Sequence, residues 1–451
     1  MEQVQAKDLL KGIAEVSQPP FITAVVTDSR AVIPGSIFVA IKGERVDGHD
    51  YAQTALEKGA AFIVAERLLE HVPADKLIVV PNSQDAMIKI GGNYRDAYSP
   101  ILVGVTGSVG KTTTKEFVAC VLAAFGKTLK TEGNQNNELG VPNTLMRLDD
   151  TYAFAVVEMG MDNLGDIHKL TSAVKPQAAI ITCIGVSHIQ NLKTQDNILK
   201  AKMEICDGME PGGLLVLNGD DAYLKKAVVP PHLNKVTYGI ENPDATIYAK
   251  RKATDEGEHF TIVDREYGNF DAYIPAVGPH NIYNALGAYT LATRLGLSPY
   301  IAVSALEKYT PAGMRQKLVK HKGITVLEDC YNANPDSMRA AVNAVTALKA
   351  KKTIAVFGDM LELGEISTQS HMQVGAYAAQ KGVDVLITYG EQAQYIYEGA
   401  CKAGHKRAYH TTTKQEAAQL IAQNATEGDA VIVKASRGMK FEEILQAYYE
   451  L

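Results

Sequence analysis

Between residues 103 and 117 the chain reads VGVTGSVGKTTTKEF, and no other stretch limits its fold so strongly. The apolar run Ile101, Leu102, Val103 and Val105 has the character of a buried parallel strand, while Phe117, Val118, Val121, Leu122 and Phe125 recur at helical spacing. Gly107 and Gly110 lie at the junction. Glycines there let successive backbone N–H groups curl round an anionic phosphate, and the helix N-terminus adds its dipole. Thr106, Gly107, Ser108, Val109, Gly110, Lys111, Thr112 and Thr113 are therefore the expected nucleotide cradle, with Lys111 reaching the outer phosphates and Thr112 a magnesium ion. Val105 occupies the position where the usual P-loop pattern has a glycine. An ordinary glycine turn is the plainer alternative, but Gly-Lys-Thr between a strand and a helix favours nucleotide.

At 451 residues the chain exceeds one ordinary core and should form two to three domains. The formal net charge of −6 leaves no global basic footprint, so nucleic acid is a poor partner. Cys120, Cys183, Cys206, Cys330 and Cys401 are scattered and odd in number, which argues against a disulfide scaffold or a structural zinc site. The first residues, MEQVQAKDLLKG, lack the basic and apolar regions of a signal peptide, and no uninterrupted apolar run is long enough to span a bilayer. The expectation is a cytoplasmic protein without membrane insertion.

The fold class predicted is α/β in three domains. Residues 1–97 hold short strand candidates at Ile22–Val26, Ile37–Ile41, Ala61–Ala65 and Leu77–Val80, with a helix over Tyr51–Lys58. Residues 98–312 open with the phosphate loop and continue through strands at Ala153–Val157, Ala178–Ile184 and Leu214–Leu217, the alternation of a mostly parallel sheet. Residues 313–451 carry strands at Thr353–Phe357, Val385–Tyr389 and Ala430–Val433 with helices between, a second open, Rossmann-like pattern.

In open parallel sheets ligands gather at the carboxyl ends of the strands, so polar residues just after apolar runs are the ones to examine. Glu158 closes AFAVVE, His188 follows AAIITCIGVSH, and Lys202 lies in the helical segment NILKAKMEI. A carboxylate and an imidazole could hold magnesium, although a hard cation prefers oxygen. Taken singly, these are equally a capping glutamate, a hydrogen-bonded loop histidine and a solvated lysine.

GVTGSVGKTTTKEF, TEGNQNNELGVP, VVEMGM, GVSHIQ, LKAKMEI, GPHNIYNALGA, DCYNANPDSM, GDMLELGEIS and KASRGM, spread in this order from Gly104 to Met439, together resemble the Mur ligase family. The N-terminal TDSR and PGSIFVAIKGERVDGHDY are similar to the family's uridine-nucleotide end. The resemblance implies a UDP-substrate domain, a central ATPase domain and a C-terminal domain that brings in an amine. It implies carbamoylation of Lys202 by carbon dioxide, so that Glu158, His188 and the carbamate surround a second magnesium while Thr112 and Thr131 serve the first. Asn281 and Asn284, one helical turn apart, resemble adenine and phosphate contacts with His280 beside them. Asp329 resembles a ribose-binding aspartate, and Arg315 an arginine that reaches the ATP phosphates. Ser29 and Arg30 look like UDP-muramoyl contacts, with Asn136 and Asn137 also expected on the substrate; Asp47, Gly48 and His49 could equally be a turn.

Within the family, YNANPDSM and DMLELGE resemble the branch that adds D-alanyl-D-alanine to UDP-N-acetylmuramoyl-tripeptide through an acyl phosphate, and the resemblance implies a monomer. Residues around Lys434, Ser436 and Glu365 are where the dipeptide is expected. A sister ligase adding one diamino acid is the alternative, but its D-N-P-R signature is absent. Folylpolyglutamate synthase shares the ATPase core without the TDSR domain. A GTPase switch is suggested by Asp162-Asn-Leu-Gly165, yet Asn234-Lys235 continues Val236-Thr237 rather than completing N-K-x-D.

Overall fold

The computed structural model describes residues 1–16, 19–43, 45–254, 257–311 and 313–451. Glu44, inside the N-terminal motif, and Ala312, at the predicted second boundary, lie outside them. The described chain forms three successive α/β units, each around its own main sheet.

In the first unit, Val25–Val26, Ile37–Val39, Phe62–Ala65 and Leu77–Val79 pair in chain order as a four-stranded parallel sheet. The predicted strand Ile22–Val26 is in fact two. Phe21–Ile22 pairs antiparallel with Val4–Gln5, and the chain then turns into the main sheet. Thr23 fixes that turn, its N–H donating to Gly35 O at 3.1 Å and its hydroxyl to Pro34 O at 2.8 Å. The predicted helix begins as a 3₁₀ turn, Gly48–Tyr51, and becomes α-helical over Ala52–Glu57.

The middle sheet has nine strands. From Thr128–Lys130 it runs through Phe154–Glu158, Ile101–Thr106, Ala178–Ile181, Leu214–Asn218 and Asn234–Gly239 to Ile247–Thr254, all parallel. Glu258–Asp264 and Gly268–Ile274 then extend it by antiparallel hairpins that the strand-and-helix alternation did not anticipate. Helices Lys111–Ala123 and Pro279–Arg294 cover one face, burying Phe117, Val118, Val121 and Leu122 against Ile282, Leu286 and Tyr289. Burying each such side chain contributes about 1.5–3 kcal/mol, enough to hold the loop before Lys111 on a rigid base. The other face shares a core with the first unit, through residues such as Met87, Ile90 and Tyr94.

The third sheet orders Lys317–His321, Ile324–Glu328, Ala430–Lys434, Thr353–Gly358, Val385–Tyr389 and Ala408–Thr411. Only its first pair is antiparallel. Short apolar runs buried on both faces, joined by helices, give this unit the predicted doubly wound form.

Candidate functional site

A cavity of about 600 Å³ opens where the strand ends of the middle and C-terminal sheets face each other. Ser108 to Thr113, Asn136, Asn137, Glu158 and His188 border it from the middle unit, with Asn281 and Asn284, and Arg315 borders it from the start of the C-terminal unit. Asp329, Lys434 and Ser436 border it from the C-terminal unit.

The phosphate loop takes its shape from two glycines. Gly107 has φ 147° and lies so close to Thr182 that a Cβ would sit 1.8 Å from its hydroxyl; Gly110 has φ 84° and faces Asn284. Val105 is the buried interior of the strand, which continues through Thr106, so the pattern's missing glycine falls before the turn. Thr106 turns away from the cavity and donates to Met159 O at 2.9 Å. Lys111 Nζ donates to Gly107 O at 2.9 Å, folding back over the curl of the loop. Burial lowers the Lys111 pKa; Glu158 opposes that shift and Arg315 adds to it.

Asn284 holds the loop from behind. Its Oδ1 accepts from Thr114 Oγ1 at 3.0 Å, and its Nδ2 donates to Asn281 Oδ1 at 3.2 Å. Asn281 in turn donates to Val277 O at 2.8 Å and Gln316 Oε1 at 2.8 Å, while His280 Nε2 meets the same Gln316 oxygen at 2.9 Å. The residue after Arg315 is thus tied to this helix. Arg315 itself lies 3.9 Å from the centre of the Tyr331 ring, a cation–π contact at the start of the C-terminal unit.

Glu158 is buried at the end of its strand. Its Oε1 accepts from Thr112 Oγ1 at 3.1 Å and Asn136 Nδ2 at 2.9 Å, whereas Oε2 has no hydrogen-bond partner and lies 3.8 Å from Lys115 Nζ. Lys115 is fully buried, donating to Thr131 O at 2.7 Å and pairing with Glu116 at 3.1 Å. It escaped notice in the sequence, although it follows Lys111 by one helical turn, which is the signal for a shared face. Thr131 accepts from Glu158 N at 3.0 Å and does not border the cavity. An orphan carboxylate oxygen beside a threonine hydroxyl fits a hard cation bound through oxygen.

His188 occupies a left-handed turn, φ 62°, with Nδ1 3.1 Å from Asp162 Oδ1. Burial, then the Lys111 and Lys202 charges, hold its pKa down to about 4. Lys202 is 1% exposed, behind the cavity wall, and burial followed by the Lys111 charge lowers its pKa well below the ordinary lysine value. Among the described residues no group of three or more His, Cys, Asp or Glu side chains could hold a metal. The Glu158, His188 and Lys202 set therefore fits a second magnesium only if Lys202 supplies oxygen.

The Asp162–Gly165 turn opens helix Asp166–Val174, Asp166 Oδ2 accepting from the N–H groups of Asp162 and Asn163 at 2.8 Å each. Asn137 Oδ1 caps another helix at Gly140 N, 3.0 Å away. Asp329 pairs with Lys434 at 2.8 Å. Ser29 and Arg30 lie away from this cavity; Ser29 is buried and Arg30 is paired with Asp28 at 2.7 Å. Asp47 accepts from His49 N at 3.0 Å and caps the 3₁₀ turn, so the DGH motif is built as a turn. Lys434 and Ser436 border the cavity, whereas Glu365 does not and Glu362 does.

Three family models match the chain in succession: "Mur ligase family, catalytic domain" over residues 21–93, "Mur ligase middle domain" over 105–292, and "Mur ligase, glutamate ligase domain" over 314–437. Among solved structures, MurF from Acinetobacter baumannii superposes with a TM-score of 0.90 at 28% identity, covering 100% of both chains. MurF ligase from Thermotoga maritima, in complex with ADP, gives a TM-score of 0.86 at 28% identity over 95% of this chain and 97% of that one. The UDP-N-acetylmuramoyl-tripeptide--D-alanyl-D-alanine ligase of Escherichia coli K12 is 33% identical over 99% of this chain and 98% of its own. With the ligase of the same name from Bacillus subtilis 36% identical, over 98% of this chain and 99% of its own, the chain belongs to the Mur ligase family.

Proposed function

We propose that this chain is an ATP-dependent ligase that joins D-alanyl-D-alanine to UDP-N-acetylmuramoyl-tripeptide, giving the pentapeptide nucleotide used in peptidoglycan synthesis. The observation that carries this reading is one cavity in which the phosphate loop, Arg315 and the C-terminal strand ends converge. Full-length similarity to ligases of that name supports the choice of substrates over a sister ligase or a GTPase switch. The relative that binds ADP supports the nucleotide.

A carboxylate is a poor electrophile with a poor leaving group. Attack of the tripeptide's terminal carboxylate on the γ-phosphorus of ATP forms an acyl phosphate and releases ADP; the dipeptide nitrogen, once deprotonated to the free amine, then forms the amide bond as the C–O bond to phosphate breaks, a second proton leaving with the phosphate. Two anions must first approach each other. Lys111, the loop N–H groups and Arg315 neutralise them, which is the main task in phosphoryl transfer. Lys111 exchanges its bond to Gly107 O for a phosphate oxygen, and Asn284 keeps the loop in register meanwhile. Asn281 and Asp329 border the cavity and would serve the nucleoside. Closure of the C-terminal unit over the cavity keeps water from the acyl phosphate.

Glu158 and Thr112 would hold a magnesium ion, whose charge offsets that of the phosphates when bound. Lys202 is suited to carbamoylation because burial favours its neutral amine, the form that adds carbon dioxide. The carbamate, with Glu158 and His188, would offer the donors a second magnesium requires. Residues 1–97 serve the uridine end through Ser29 and Arg30, Asn136 and Asn137 face the substrate, and residues 313–451 serve the dipeptide. A monomer is the state the family resemblance favours, and five free cysteines suit a reducing cytoplasm. Among the described residues no helix is long and apolar enough to cross a membrane. The test is product mass: incubated with ATP, magnesium, the tripeptide nucleotide and D-alanyl-D-alanine, the protein should add one dipeptide, and a single added amino acid would refute the assignment.

A further inference from the structure

We propose that Glu362 receives the ammonium group of the incoming dipeptide, an inference that rests on the ligase reading above. Two carboxylates of the C-terminal unit border the cavity, Asp329 and Glu362. Asp329 is committed to Lys434 at 2.8 Å. Glu362 is exposed, and no hydrogen bond or ion pair engages its carboxylate among the described residues.

Its backbone is unusual. Glu362 has φ 64°, the left-handed region that glycine or asparagine normally occupies. Such a conformation costs on the order of the strain that persists only where surrounding structure enforces it, and it concentrates at ligand-binding sites. The enforcement is visible. Met360 N donates to His371 Nε2 at 3.0 Å, Leu361 N donates to Ser436 Oγ at 2.9 Å, and Gly364 packs against Gln190, whose Cγ would lie 3.2 Å from a Cβ there. Gln190 belongs to the helix that His188 opens. The turn bearing Glu362 is therefore anchored at one end within the C-terminal unit and packs at the other against the middle-unit helix that follows His188.

Charge gives the turn its purpose. The dipeptide amine is a cation in neutral solution, and although carboxylates outnumber cations along the cavity wall, Lys111 and Arg315 repel it locally beside the phosphate loop. A free carboxylate on the side that delivers the dipeptide offsets that repulsion and fixes the nitrogen's approach. Leu361, 44% exposed at the same rim, offers apolar surface to the alanine methyl groups.

The experiment compares E362Q and E362G with the unaltered full-length protein, measuring KM for D-alanyl-D-alanine, ATP and the tripeptide nucleotide, and trapping the acyl phosphate by borohydride reduction without dipeptide. Losing a charge-assisted hydrogen bond should raise the dipeptide KM roughly tenfold or more in both variants. The other two KM values and the trapped acyl phosphate should stay within about twofold. Glycine adopts the left-handed turn without strain, so E362G separates loss of charge from loss of fold. An unchanged dipeptide KM in both variants, or a parallel rise for all three substrates, overturns the Glu362 assignment alone. An unaltered protein that forms no dipeptide-dependent product overturns the ligase reading and this inference with it.

Discussion

Asn334, at the head of a C-terminal helix, donates from Nδ2 to Ser187 Oγ of the middle unit at 2.7 Å. The Ser187 hydroxyl passes its own proton toward Ser108 O, 3.3 Å away in the phosphate loop. One residue pair thus links the C-terminal unit to the cradle, beside the turn that carries His188. Ser187→Ala removes the link while Asn334 keeps its capping bond to Ser337 N at 2.8 Å. A hydrogen bond of this kind is worth about 0.5–1.5 kcal/mol, so kcat/KM should fall up to roughly tenfold with little change in melting temperature. Steady-state kinetics and thermal unfolding check this.

Lys111→Ala should abolish measurable ligation, since losing a principal charge-stabilising donor costs on the order of 100-fold or more in rate. The fold should survive, because Lys111 contributes only a bond to Gly107 O and no core packing. Circular dichroism beside a turnover assay distinguishes the outcomes; near-normal ligation would remove Lys111 from the chemistry.

For Lys202, the expected behaviour is loss of activity on Lys202→Ala with partial rescue by acetate or formate, which would supply the missing oxygen donors. Full activity without rescue would leave Lys202 as a buried lysine of no catalytic consequence.

His371 supports the turn under Glu362 as a neutral imidazole. Nδ1 donates to Ser367 O at 2.7 Å and Nε2 accepts from Met360 N at 3.0 Å, and burial lowers the pKa from the ordinary 6.5. A histidine whose folded pKa is depressed binds fewer protons folded than unfolded, so its stabilisation is present above 6.5 and lost as pH falls below it. The stability difference between the unaltered protein and His371→Asn should therefore shrink on acidification below that value. Urea unfolding at a series of pH values measures it, and a difference that grows on acidification would contradict the neutral assignment.

The phosphate loop was legible because its physics is local: apolar strand, two glycines, lysine and amphipathic helix are consecutive. The central parallel strands, such as Phe154–Glu158, Leu214–Asn218 and Val385–Tyr389, were legible as continuous apolar runs, whereas Thr128–Lys130, Asn234–Gly239 and Ala408–Thr411, short or rich in polar residues, were not. The hairpins over residues 247–274 were not, because inward positions on Glu258–Asp264 include the charged Glu258 and Asp264, both buried. Asp264 is satisfied by Arg294 at 2.7 Å, a partner 30 residues away that no short window reveals. Asn334 and Ser187 escaped for the same reason. Their meaning depends on how two sheets face each other, which periodicity does not encode. Glu362 lies inside DMLELGE, but the motif did not separate it from Glu365; its backbone conformation, which does, is a tertiary consequence.

Phosphate release from ATP, measured with the tripeptide nucleotide present and D-alanyl-D-alanine either present or absent, tests the central claim most directly. The ligase reading predicts sustained release only when both acceptor and dipeptide are supplied, matched mole for mole by pentapeptide nucleotide. Sustained release without the dipeptide, or without any pentapeptide product, would contradict it.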